Sequence, residues 1–219
     1  MNTTQLFAFL SELAHHNERD WFQTRKPTYE QLRREFEEAV AGWLRDLTAS
    51  DTRLAGLEPK KCIFRIYRDV RFSNNKDPFK THFSAYFSEG GKAGTGPGYY
   101  VQLGPHGQTM LAGGIYVPDK EQLISIRQEI DYNGPALHAL LHALAFQQYF
   151  PGLGGEKLKR APTGYSTDHP DIELLKHKSF VVSHHIPDAT VHQLDLATYV
   201  PAVFRAMQPF CEFLREAVE

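Results

Sequence analysis

Tyr99-Tyr100-Val101-Gln102-Leu103-Gly104-Pro105-His106-Gly107-Gln108-Thr109-Met110-Leu111-Ala112-Gly113-Gly114-Ile115-Tyr116-Val117 is the stretch on which the fold turns. Apolar and other side chains alternate on both sides of Gly104-Pro105-His106-Gly107, the pattern of two strands, 99–103 and 109–117, joined as a hairpin. Upstream, Phe83, Ala85 and Phe87 repeat the alternation, and Phe180 to Val182 repeat it downstream. Residues 61–72 also read with period two, Ile66, Val70 and Phe72 on one face and Arg65, Tyr67, Asp69 and Arg71 on the other. Strands that follow one another through short joints pair antiparallel, because a parallel pair needs a long crossover. The expectation is an α+β fold: a mainly antiparallel sheet of about five strands, packed against N- and C-terminal helices.

The flanks supply those helices. Leu6, Phe9, Leu10 and Leu13 form one helical stripe, and Tyr29, Leu32, Phe36, Val40, Trp43, Leu44 and Leu47 form a longer one opening near Pro27. Between them, Asn17 and Asp20 have the look of a helix cap. After the sheet, Asp119 is placed to cap a helix carrying Leu123, Ile126 and Ile130; Leu137, Leu140, Leu141 and Leu144 mark another. Residues 151–170 are an irregular connection, and Asp195 to Val218 a helix that Pro209 should interrupt or kink. No repeat or domain boundary is visible, so residues 1–219 read as a single domain.

Composition narrows the class. The chain is 42% hydrophobic and 12% aromatic, enough for a sizeable core. Its net charge of −2 disfavours a general nucleic-acid binder, which needs a broad positive field. Cys62 and Cys211 form neither a disulfide framework nor a metal-binding pair. No apolar run approaches the ~18 residues of a membrane span, and no signal peptide is readable. A cytoplasmic protein without a membrane partner is the expectation.

Chemistry concentrates in Arg65-Ile66-Tyr67-Arg68-Asp69-Val70-Arg71-Phe72-Ser73-Asn74-Asn75-Lys76-Asp77-Pro78-Phe79-Lys80-Thr81. Arginine's planar fork matches a carboxylate or phosphate through two parallel hydrogen bonds. On a strand, Arg65, Tyr67 and Arg71 would share a face, and the Ser73-Asn74-Asn75 turn would return Lys76 and Lys80 to it. Tyr100 and a second basic run, Lys157 to Arg160, complete the candidate ligand-binding set, with Asp69 as the candidate acid–base group. Set against this is a structural network, in which Arg68, on the apolar face, pairs with a carboxylate to avoid a buried unpaired charge.

Several segments recur in order in a known family: Asn17-Glu18-Arg19-Asp20-Trp21-Phe22, Phe64 to Ser73, Lys76 to Thr81, Gly98-Tyr99-Tyr100, Gly113 to Pro118, Lys157 to Tyr165, and His169-Pro170. Through them the chain resembles the conserved hypothetical proteins of domain of unknown function 2461, over nearly its whole length. The resemblance implies one domain and points to the same basic block. It implies no activity, cofactor or catalytic residue.

Other motifs are absent or incomplete. There is no nucleophile elbow, Walker loop or dinucleotide fingerprint. Gly94 to Gly98 is glycine-rich, but Pro97 removes a donor and no helix follows to present N–H groups to a phosphate. His138 and His142 have chelating i, i+4 spacing but lack an intervening Glu, so no metal and no cofactor is expected. His184 and His185 point to opposite strand faces; His82 and His169 lie nearer the polar block. The expected function is binding, with or without turnover, of a phosphate- or carboxylate-bearing small molecule. The alternative is a nucleic-acid or protein-binding module on the same basic-aromatic surface.

Overall fold

The computed structural model describes all 219 residues. Its first third is helical: α1 (Thr3–His15), α2 (Arg19–Thr24) and α3 (Lys26–Ser50). The Asn2 side chain caps α1 by accepting from the Gln5 N–H. Leu32, Phe36, Val40, Trp43, Leu44 and Leu47 fall on one stripe of α3, and all are buried. Asn17, expected to cap a helix, instead clamps a distant strand-like segment. Its Nδ2 donates to the Phe79 carbonyl and its Oδ1 accepts from the Phe79 N–H, each at 3.0 Å.

A short α4 (Pro59–Cys62) leads toward the sheet. β1 (Phe83–Phe87), β2 (Gly98–Leu103), β3 (Met110–Ile115) and β4 (Phe180–His185) lie in the order β1-β2-β3-β4, every pair antiparallel. The tight turn between β2 and β3 holds His106 at φ 59, a left-handed conformation that is uncommon outside glycine. The Asp188 carboxylate accepts the His106 and Gly107 N–H groups at 2.7 and 2.9 Å and so fixes that turn.

The sheet has four strands, not five. Residues 61–72 make only isolated bridges, Ile63 to Ala85 and Tyr67 to Phe79. A strand continued to Phe72 would carry Arg68 onto an apolar face without a counter-ion, at a cost of several kcal/mol. The chain loops out instead. Arg68 finds no carboxylate: its guanidinium donates to the Asp77 carbonyl at 3.1 Å and the Ser73 hydroxyl at 3.4 Å. Phe72, expected in the core, is 95% exposed at the loop.

After β3, α5 (Lys120–His142) opens with a capping box between Asp119 and Gln122. The two helices expected here run together across a break at Asn133, shortly before Pro135. α6 (Leu144–Gln147), α7 (Ile172–Leu175) and α8 (Asp188–Val191) are single turns, and Leu144 is exposed rather than inward. α9 (Leu196–Val218) runs unbroken through Pro201 and Pro209, against expectation. Each proline deletes one N–H, but a buried stripe from Val200 through Phe204, Met207 and Phe210 to Leu214 holds the helix to the core. α9 packs on β3, α3 and α5, and Trp43 Nε1 fastens its start by donating to the Leu196 carbonyl at 2.9 Å.

The buried apolar side chains form one cluster between the sheet and these helices. Cys62 and Cys211 are both buried and free. Arg215 and Asp51 make a buried ion pair at 3.0 Å. No helix is long and apolar enough to cross a membrane.

Candidate functional site

Alternation along the strands sends Phe83, Phe87, Tyr99, Val101, Leu111 and Val182 into the core. The intervening residues therefore build the second face of the sheet. The register sets Tyr86, Tyr100, Ala112 and Ser183 in one row across all four strands. That face carries a groove of about 730 Å³, whose lining includes this whole row with Phe64, Met110, Tyr116 and Val181.

One end of the groove is closed by the glycine-rich strap after β1. Tyr86 Oη donates to the Gly96 carbonyl at 2.9 Å, and Gln122 Nε2 donates to the Thr95 carbonyl at 3.0 Å. Nearby, Val117 lines the groove with φ 50, a conformation costing a β-branched residue roughly 1–3 kcal/mol. Its N–H donates to the Ser179 hydroxyl at 3.0 Å, and the neighbouring Tyr116 ring is 80% exposed.

Cations gather at the β1 edge. The Phe64 ring sits edge-on to Tyr100, with 6.3 Å between centroids, and Lys80 Nζ lies 5.0 Å from the centre of that ring. Lys92, itself in the groove lining, donates to the Ile63 carbonyl at 3.0 Å. No carboxylate lies within ion-pair distance of Lys80, Lys92 or Arg65. Burial, and then the charge of Arg65, lower the Lys80 pKa. His82 titrates at about 4, because it is buried and faces Lys80.

The remaining sequence-selected residues are placed elsewhere or are already engaged. Tyr67 packs against Phe79 and Phe22, with ring centroids 5.3 and 6.0 Å away. Lys76 Nζ donates to the Val70 carbonyl at 3.0 Å, bracing the loop. Arg71 grips Asp69 with two bonds, Nε to Oδ1 at 2.9 Å and Nη2 to Oδ2 at 2.6 Å. Those bonds lower the Asp69 pKa, so Asp69 remains a carboxylate near neutrality and is poorly suited to proton transfer there. Lys157 pairs with Glu173 at 3.2 Å; its segment borders β4 through a bridge from Gly154 to Val181, and Arg160 is exposed in the same connection. The two basic runs therefore flank opposite edges of the sheet.

Histidines outside the groove serve the fold. His169 is held on both ring nitrogens, by Asp131 at 2.9 Å and the Asp171 N–H at 3.0 Å. His184 lies between the Tyr149 carbonyl at 3.1 Å and the Tyr199 hydroxyl at 2.7 Å. His138 pairs with Asp171, while His142 bonds the His138 carbonyl at 2.7 Å. No three His, Cys, Asp or Glu side chains cluster as metal ligands.

Phe64, Tyr86, Lys92, Ala112 and Ser183 were not singled out from the sequence. Strand parity contains the signal for Tyr86, Ala112 and Ser183, since each alternates with core positions, whereas Phe64 lies outside the strands. Lys92 in its glycine-rich strap carries none.

Fold and groove together define an α+β protein whose meander sheet is helix-covered on one face and grooved on the other. The chain belongs to the conserved hypothetical proteins of domain of unknown function 2461, whose family model matches residues 5–213. No curated protein and no solved structure matches it.

Proposed function

We propose that the protein binds an anionic small molecule at the β1 edge of the groove, its phosphate or carboxylate held by Lys80 and Arg65, with Tyr100 alongside. The observation that carries this reading is the partly buried Lys80, which has no hydrogen-bonded or ionic partner and whose pKa is lowered by burial and, after it, by the like charge of Arg65. Asp69 offsets part of the Arg65 charge, but no carboxylate offsets Lys80; like charges beside a partly desolvated amine destabilise a fold, and an anion reverses the sign of that term. Lys92, bonded to the Ile63 carbonyl beside Phe64, adds a third cation. The free, buried cysteines agree with the cytoplasm as the place of action.

Thermal shift with inorganic phosphate and acetate tests this. Saturation at about 100 times the dissociation constant adds roughly 2.7 kcal/mol of stability to the wild type. Lys80→Met should remove that shift while leaving the unliganded melting temperature equal or higher. A Lys80→Met protein that responds to anions like the wild type would exclude the site.

A nucleic-acid or protein partner is the second reading, and Phe72 is the observation that favours it. This ring is 95% exposed beside Arg71, on a loop braced by Arg68 and Lys76. Exposed aromatic–arginine pairs are the composition of interface hot spots. Phe72→Ser would then abolish partner binding and leave the anion response intact.

A further inference from the structure

We infer that the ligand is a ring-bearing anion whose flat body lies on the open face of the sheet, over Ala112 and Ser183; this rests on the anion site proposed above. The row Tyr86, Tyr100, Ala112, Ser183 is divided by size, with two aromatic side chains on β1 and β2 and two small ones on β3 and β4. Strands are spaced ~4.8 Å apart, so the small half is a recess roughly one ring wide, walled on one side by Tyr100. Met110 and Val181 border it within the same groove lining.

The larger polar side chains of this lining are committed within the protein, which leaves the Ser183, Thr95 and Tyr116 hydroxyls and one Asp119 oxygen free. Tyr100 Oη donates to Gln102 Oε1 at 2.8 Å, and Tyr86 Oη donates to the Gly96 carbonyl at 2.9 Å. The Gln122 side chain is used twice, accepting from the Asp119 N–H at 3.1 Å and donating to the Thr95 carbonyl at 3.0 Å. Most of the exposed lining is apolar, so a sugar or another polyhydroxylated body would lose more water than those few groups replace. An apolar ring loses little on entering and gains aromatic contact. The floor itself carries no cation, and Asp119 lies at the strap end, so charge on the ligand is favoured only at the Phe64 corner. These constraints select one anionic group on a planar apolar body and disfavour polyanions.

Calorimetric titration with two matched pairs, whose four-carbon arms span the ~10 Å from the Phe64 corner across β1 and β2 to Ala112, tests the inference: 4-phenylbutyl phosphate against butyl phosphate, and 5-phenylpentanoate against pentanoate. The wild type should bind the ring-bearing member of at least one pair 10- to 100-fold more tightly, the worth of one buried ring. Ala112→Trp fills the recess without touching the cations, and should abolish this advantage while leaving the ring-free anion within about threefold of wild type. Ser183→Leu, in the same row, should act alike and serves if the tryptophan variant does not fold. Lys80→Met should weaken both members of a pair by the same factor. A wild type that shows no ring advantage, or an advantage that survives both Ala112→Trp and Ser183→Leu, overturns the ring inference alone. Binding indifferent to Lys80→Met, or no binding of any probe, overturns the anion site and the inference with it.

Discussion

On the helix side of the sheet, Phe83, Phe87, Tyr99, Val101, Leu103 and Phe180 pack at no more than 5% exposure. On the other side, the same strands present Tyr86, Tyr100, Ala112 and Ser183 to a groove, with unpaired cations at its edge. Charges differ in the same way. Asp51 and Arg215, which join the end of α3 to the end of α9, are buried and bonded to each other, whereas Lys80 feels the like charge of Arg65 with no carboxylate in ion-pair contact with either, Asp69 acting on Arg65 only from longer range. Where a charge serves the fold, its partner lies within the chain. Where no partner lies within ion-pair distance, as for Lys80 at the β1 edge, an anion from outside the chain is the partner proposed above.

Substitutions on the two faces should therefore separate stability from binding. The largest effect is expected in the core, where Phe204 meets Phe87 and Tyr99. Phe204→Ala should cost about 3–5 kcal/mol in chemical denaturation, the range for emptying a packed aromatic site. Tyr100→Ala, across the sheet, should cost far less and act mainly on ligand affinity; a loss equal to that of Phe204→Ala would erase the distinction between the faces.

Acid sharpens the comparison further. Burial, and then Lys80, lower the His82 pKa from 6.5 to about 4, so the folded protein resists a proton that the unfolded chain accepts. Stability is then fully present above pH 6.5 and falls as the pH drops from about 6.5 to about 4, by ~1–3 kcal/mol. His177 and His184, lowered chiefly by burial, add loss of the same sign. His82→Gln should flatten part of this slope in denaturation curves collected across that interval, and an unchanged slope would refute the assignment to His82.

The smallest effect concerns Tyr99, whose hydroxyl is buried without a hydrogen-bond partner. Tyr99→Phe removes an unsatisfied polar group and keeps the ring, so it should be neutral or stabilise by about 1 kcal/mol. A destabilisation of that size would mean that the phenol is satisfied in solution.

The hairpin, the helical stripes and the resemblance were legible in the sequence because each depends on local periodicity or on contiguous motif residues. The false strand at 61–72 came from the same rule. Period two is visible there, but the neutral partners that Arg68 takes, the Ser73 hydroxyl and the Asp77 carbonyl, depend on the loop folding back, which no local pattern encodes. Asn17 was misread for a similar reason, since its partner, Phe79, lies 62 residues away. At the site, Arg65, Lys80 and Tyr100 stood out by residue type, and Asp69 fills the Arg71 fork from only two residues away, a local contact; the separation of Lys157 from the first basic block could not be read without the sheet order. Ala112 and Ser183 carry no chemical signal in the sequence. They matter only because the register sets them beside Tyr100.

Methyl-resolved NMR of the wild type, titrated with 4-phenylbutyl phosphate, tests the central claim most directly. The account predicts saturable shifts at the Ala112, Met110 and Val181 methyls, with core methyls such as Val101 and Leu103 unmoved. Shifts confined to the helix-covered side, or none at the groove at saturating probe, would contradict it.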